Sequence, residues 1–426
     1  MLRFVPSPTG DMHIGNLRVA ILNYLTAKVR NEAFLIRIDD NDKEKIIEGK
    51  DTEIMQIMEK FALKHDEVYH QSEHHRMHQT LALRLLQEDK AFVCTCEASS
   101  SDLSHTEENL CSGQCLQADK ERLGKLKAEE RPFVIRIKAP QEEITTADLI
   151  RGEITTAAEE LESFIILKSD GTPARTFATA CDDMLGSISL IIREGDQLSE
   201  SPKEHHIKSQ LGYTEETDYI HLSPLLSSTG EPIKEITIKR LFEEGFLPDA
   251  IINYLLLLDC PGAPEMIFTL PEAIRWFKPE DLSTEAVRFD IEQLRKINRA
   301  HLMMMDDKRL STLFGFADAD IGKLAKLYLG DASTINALEA KFKPIFAPKS
   351  FETECGKEMR LLQEIIAEAP MINDFEAFKS YLLQKSGLDE AQLDKPLRLL
   401  LTGTPKGPQI SEIYPYIKPY LLEVAS

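Results

Sequence analysis

Two prolines and a glycine set the first constraint on this chain. Leu2, Phe4 and Val5 form a short apolar run of the kind a buried strand needs. Pro6-Ser7-Pro8-Thr9-Gly10 cannot extend it, because proline has no N–H to give a sheet and glycine invites a turn. After Met12 the spacing becomes helical, with Leu17, Ala20, Ile21, Tyr24 and Leu25 recurring on one face. The segment therefore reads as strand, tight loop, helix, with His13 and Gly15 at the helix start. Free N–H groups and the positive end of the helix dipole gather there, so the turn suits a phosphate. Gly15, having no side chain, leaves room for a base or ribose against the backbone.

A second buried strand is expected from Phe34, ending in Asp39-Asp40-Asn41-Asp42. Open α/β sheets hold ligands at the carboxyl ends of their strands, which is where these carboxylates fall. Residues 43–90 are charged and read as helical, with Ile54, Ile57, Met58 and Phe61 as a core stripe. His70, His74, His75 and His78 have no second set at metal spacing and are expected to be mostly solvated.

Four cysteines, Cys94-x-Cys96 and Cys111-x-x-x-Cys115, fall within 22 residues around a polar Ser/Asp/Glu-rich stretch. That stretch has too few apolar residues to order itself, and a tetrahedral zinc ion held by four thiolates would order it. A CxC opening is less diagnostic than paired CxxC knuckles, so spacing alone leaves four free thiols as the alternative.

At 426 residues the chain is too long for one core, and two to four domains are expected. A net charge of -21 argues against a diffuse basic nucleic-acid binder, while leaving room for one positive face. The densest apolar run, Ile251 to Cys260, is interrupted by Asn253 and too short to span a bilayer. Residues 1–25 lack the layout of a signal peptide, so the expected compartment is the cytoplasm and no membrane partner is expected. Further strands are expected in Pro132 to Lys138, which alternates, in Ser163 to Gly171, which ends in a turn, and in Ile188 to Arg193. From about residue 305 the chain reads as amphipathic helices, with Met303, Met304 and Met305 in the core.

Arg3, Pro6-Ser7-Pro8-Thr9-Gly10 and His13-Ile14-Gly15-Asn16 together resemble the HIGH signature of class I aminoacyl-tRNA synthetases, in the form used by bacterial glutamyl-tRNA synthetases. The resemblance continues at Arg37 to Asp42, where Asp39 replaces the family's glutamate and Asn41 its threonine. Asp182-Asp183, Arg193, the stretch Glu244 to Leu255, Phe289 to Asn298, and Lys395 to Gly403 with Gly407-Pro408 also match. Three places depart. Arg175 stands where the family has a pocket tyrosine, and Glu194-Gly195-Asp196-Gln197 where it has G-E-D-H. The KMSKS loop is degenerate: Ser227 to Glu235 offers only Lys234 as a counterpart.

The resemblance implies an α/β, Rossmann-like catalytic domain (1–70 and 181–230) split by an acceptor-binding insertion (71–180), then a stem-contact region (231–304) and an all-α anticodon-binding domain (305–426). It implies ATP- and Mg2+-dependent activation of glutamate and transfer to tRNA(Glu) and/or tRNA(Gln), by a monomer. His13, Gly15 and Asn16 would meet ATP, and Lys234 its phosphates. Arg3, Ser7, Asp39 and Arg193 would meet glutamate, with Arg175 and Thr179 lining the same pocket. Some relatives carry zinc at the cysteine cluster. Two other readings are a tRNA-binding paralogue that has lost activation, motivated by the departures, and a nucleotidyltransferase unrelated to tRNA. The C-terminal matches speak against the second.

Overall fold

The computed structural model describes residues 1–96, 111, 114–117, 124, 126, 128–129, 131–227, 229–231, 233, 235–352 and 354–426. The expected opening is present: strand β1 (Leu2–Phe4), helix α1 (Ile14–Arg30) and strand β2 (Phe34–Ile38), with β1 and β2 parallel and Leu2 opposite Phe34. The helical expectation for residues 43–90 holds for α2 (Lys50–Lys60) and α3 (His75–Gln87) but fails between them. There Glu67–His70 forms strand β3, parallel to β2 with Val68 opposite Ile36. Pairing with a buried strand distant in sequence overrides the local charge pattern.

A second sheet holds β6 (Ile144–Asp148), β7 (Gly152–Thr156), β9 (Leu190–Glu194) and β10 (Asp218–Leu222) in the order β7-β6-β10-β9. Strand β10 is parallel to both β9 and β6, whereas β6 and β7 form an antiparallel hairpin. The two sheets meet where the Ser189 N–H donates to the Met1 carbonyl at 3.1 Å. Strand order therefore runs outward in opposite directions from β1 and β9. In open α/β sheets such a reversal leaves a ligand crevice beyond the carboxyl ends of the strands.

A third, antiparallel sheet joins β4 (Ala91–Cys94), β5 (Val134–Ile137) and β8 (Ile165–Leu167) in the order β4-β5-β8. Its central strand does not show the in-and-out pattern its sequence suggests, because all four residues are buried. Ala82, Leu85, Phe177 and Ala180 contribute to the apolar cluster that takes in Ile135 and Ile137. Arg136 is accommodated because its Nη1 donates to the Ser163 carbonyl at 2.9 Å.

Met1–Lys239 with Leu255–Phe289 form one compact unit, and Arg240–Tyr254 with Asp290–Ser426 a second. From Asp290 on, the described residues contain helices and no strand. Their starts follow from sequence: the side chains of Asp290, Asp306, Asp318, Thr334, Asp374 and Asp389 each accept a backbone N–H from the first turn that follows. The methionine triplet is the exception to the core expectation, since Met303 is 51% and Met304 65% exposed. The buried stripe of helix Ile291–Met304 is Leu294, Ile297, Asn298, His301 and Leu302, at helical spacing, and the next two positions fall off it.

Helix Glu390–Thr402 ends at Gly403, which has φ 67, and a Cβ there would lie 2.6 Å from the Pro344 carbonyl oxygen. Gly403→Ala is therefore expected to destabilise the protein by more than about 1 kcal/mol in urea denaturation. Gly330→Ala, where a Cβ meets nothing within 4 Å, serves as the unchanged control.

Candidate active site

His13 caps α1 with its ring. Nδ1 accepts from the N–H groups of Gly15 at 3.1 Å and Asn16 at 3.3 Å, and Asn16 Oδ1 accepts from the His13 N–H at 3.3 Å. An acceptor at Nδ1 places the ring proton on Nε2. The chain after residue 235 runs back along this turn: Ile14 N–H donates to the Ile236 carbonyl and Ile238 N–H to that of Met12. This sets Ile236 to Ile238 beside the helix start. Lys234 itself lies outside the described residues. Lys239 and Arg240 are exposed on helix Ile238–Glu243, as their sequence suggests.

Beyond the ends of β1 and β9 lies a cleft of about 410 Å3. Arg3, Asn16, Arg175, Thr179, Arg193 and Glu204 line it. Five of these six were singled out by sequence; Glu204 carried no local signal. Ser7 and Asp39 join through hydrogen bonds: Ser7 Oγ donates to Asp39 Oδ2 at 3.3 Å, and Arg175 Nε lies 3.2 Å from the same oxygen. Arg175 is 62% exposed at its side chain, so this contact is free to open.

The aspartate pair divides its work. Asp183 accepts from Arg3 Nε and Nη2, both at 3.1 Å, and from Arg37 Nη1 at 2.8 Å. Burial opposes its charge, but the two guanidiniums outweigh it and hold its carboxyl well below the usual carboxylate range. Asp182 Oδ1 lies 2.8 Å from both His74 Nδ1 and His78 Nε2, and Gln71 Nε2 donates to Oδ2 at 2.8 Å. The expectation of solvated histidines is thereby corrected: His78 is fully buried. Its partner stands 104 residues further along the chain, where no local pattern could reveal it. His74, His78 and Asp182 converge closely enough to raise the question of a cation. Arg37 Nε, 4.0 Å from Asp182 Oδ2, already supplies the positive charge, and each ring serves as a hydrogen-bond partner.

The four cysteine sulfurs also gather. Sγ atoms of Cys94 and Cys111 are 3.7 Å apart, of Cys96 and Cys111 4.0 Å, and of Cys96 and Cys115 3.5 Å. A tetrahedral zinc with bonds of about 2.3 Å requires sulfurs about 3.8 Å apart, so the residues fit the ion. Cys94 and Cys115 are buried with Phe92 and Val134, which anchors one side of the cluster to the third sheet.

Residues 1–296 match the family of tRNA synthetases class I (E and Q), catalytic domain. The chain belongs to this family. Over the full length of both chains it is 56% identical to Glutamate–tRNA ligase 2 of Sulfurovum sp. (strain NBC37-1) and 44% identical to Glutamate–tRNA ligase 2 of Sulfurimonas denitrificans. A crystal structure of a glutamate tRNA ligase from Elizabethkingia meningosepticum, in complex with its amino acid, superposes with a TM-score of 0.79 at 25% identity. That match covers 99% of this chain and 97% of the other. The α/β class I synthetase architecture expected from sequence is thus present, with helices dominating the C-terminal part. ATP is the expected co-substrate of a class I synthetase. No helix among the described residues is long and apolar enough to cross a membrane.

Proposed function

We propose that the chain is a glutamate–tRNA ligase of the bacterial cytoplasm, acting as a monomer. The observation that carries this is full-length identity of 56% to a protein of that name, joined to a cleft at the sheet's switch point that holds three arginines. Glutamate is a dicarboxylate, and guanidiniums bind carboxylates through paired, charge-assisted hydrogen bonds. In the first step the α-carboxylate of glutamate attacks the α-phosphorus of Mg2+-bound ATP and pyrophosphate leaves. In the second, the terminal ribose hydroxyl of tRNA attacks the mixed anhydride and AMP leaves. Neither step needs a nucleophilic side chain, so the protein acts by positioning and by stabilising charge.

In this reading His13, Gly15 and Asn16 hold ATP at the start of α1, and Lys234 meets its phosphates. Arg3, Ser7, Asp39 and Arg193 hold glutamate, with Asp39 taking the ammonium once Arg175 swings aside, and Thr179 lining the wall. Residues 71–180 meet the acceptor end of tRNA, 231–304 the stem and 305–426 the anticodon region. Cys94, Cys96, Cys111 and Cys115 hold a structural zinc ion, which crosslinks a stretch of chain poor in apolar residues. Protein purified without chelator is expected to carry zinc at close to one ion per chain. Cys115→Ser should lower that content and the thermal midpoint together, as measured by elemental analysis and calorimetry.

The deciding experiment is glutamate- and ATP-dependent charging, with tRNA present from the start and tRNA(Glu) and tRNA(Gln) tested separately. Charging of either or both supports the ligase. Absence of charging with tRNA binding retained would instead support the reading of a paralogue that has lost activation.

A further inference from the structure

Arg193 makes three hydrogen bonds, one to Glu204 of the same cleft lining and two to Ser201 and His221, which do not line it. Nη1 donates to Glu204 Oε1 at 2.7 Å, Nη2 to Ser201 Oγ at 2.7 Å, and Nε to His221 Nε2 at 3.2 Å. Ser201 Oγ and His221 Nε2 are themselves 2.9 Å apart, and His221 Nδ1 lies 2.8 Å from Asp148 Oδ2. A proton count fixes every direction in this chain. A guanidinium only donates, so His221 Nε2 must present its lone pair and the ring must carry its proton on Nδ1, which Asp148 accepts. Ser201 then accepts from Arg193 Nη2 and shares the one Nε2 lone pair of His221 with Arg193 Nε as a second donor. Burial pushes the His221 pKa down, which favours this neutral ring.

Asp148 is held in turn by backbone. Its Oδ1 accepts from the N–H groups of Ile150 and Arg151 and its Oδ2 from that of His221, all at 3.0 Å. The His221 ring stacks on Tyr219 with an interplanar angle of 10°, and the Arg193 guanidinium carbon lies 5.4 Å from the Tyr219 ring centre. Asp148, His221 and Ser201 are each no more than 3% exposed. An aspartate–histidine–serine line resembles a hydrolase triad, yet here the serine is sealed from solvent and faces a guanidinium where a carbonyl carbon would have to stand.

We propose that Asp148, His221 and Ser201 are positioning residues for Arg193. Ser201 and His221 take the Nε and Nη2 donors on one side of the guanidinium and fix its plane. Of its five N–H groups, one on each Nη remains for a substrate carboxylate. The pocket's geometry is thus set by the sheet: Asp148 ends β6, His221 lies on β10 and Arg193 on β9. The inference rests on the reading of Arg193 as a carboxylate-binding residue.

The test is steady-state charging by the full chain, with glutamate and ATP varied separately, for Ser201→Ala, His221→Asn and His221→Gln. Ser201→Ala removes one oxygen, and His221→Asn keeps a donor for Asp148 but offers Arg193 no acceptor. Each is expected to raise KM for glutamate about tenfold, the worth of a hydrogen bond to a charged group. KM for ATP and kcat should stay within about twofold. His221→Gln, whose amide oxygen can stand where the Nε2 lone pair stood, should recover most of the loss. Equal rises in both KM values would indicate general loosening and overturn the proposal. Arg193→Lys separates the two levels. If it leaves KM for glutamate unchanged, the reading of Arg193 fails and the proposal with it. If it raises that KM while Ser201→Ala and His221→Asn do not, positioning alone fails. Should the His221 variants not fold, Ser201→Ala decides.

Discussion

Asp183→Asn is expected to lower the free energy of unfolding by about 3–5 kcal/mol, the usual cost of breaking a buried ion pair from one side. Asp183 is fully buried and is the shared partner of Arg3 and Arg37. An asparagine of the same shape leaves two guanidiniums facing a neutral amide, and Arg37 Nε and Nη2 already lack hydrogen-bond partners. The effect carries a pH signature whose sign is fixed. The folded pKa of Asp183 lies below that of the unfolded chain, so its contribution is complete above about pH 4 and fades as the pH falls further. Urea midpoints should therefore differ widely between the two proteins at neutral pH and converge in acid. A gap that stays constant with pH would mean that the asparagine acts through packing and not through charge.

Gly15→Ala is expected to lower kcat/KM for ATP by about a hundredfold, the scale of a misplacement of roughly 1 Å in a reacting site. Gly15 has no positive φ to defend; space is the constraint. A Cβ built there would stand 2.7 Å from Glu194 Oε1 and 3.0 Å from two atoms of the His13 ring. The Glu194 carboxylate must move aside and the His13 ring must give by a few tenths of an ångström, and the methyl group then stands in the turn proposed to meet ATP. ATP-dependent charging at saturating glutamate would measure it. A wild-type KM for ATP, with α1 intact by circular dichroism, would show that His13 serves the helix and not the nucleotide.

What the sequence made legible was local. The prolines and glycine between β1 and α1 announced the turn, and His13 sits where the change of period put it. The aspartates and threonine that open the C-terminal helices went unread, although a cap and its helix are neighbours in sequence. The cysteine cluster was legible by spacing, because four thiols of such short separation have few ways to lie apart. Buried polar contacts were not legible. His78 reads as one member of a solvated histidine run until Asp182 is brought against it, and Asp148 meets His221 across 73 residues. Strand β3 was hidden for a related reason, since its partner β2 decides its state more than its own charged residues do. Met303 and Met304 mark the opposite error: hydrophobicity alone did not say which face of the helix they occupy.

The pairing of β6 with β10 has a further consequence. The segment 71–180 does not simply loop out of the sheet and return, because it donates β6, and β6 carries β7 on its far side. Cutting the chain back to 1–70 joined to 181–289 would uncover the edge of β10 around Tyr219, where β6 pairs, and offer it for pairing with another chain. A minimal version of the enzyme that keeps Ile144–Thr156 should stay dispersed, and one without it should self-associate.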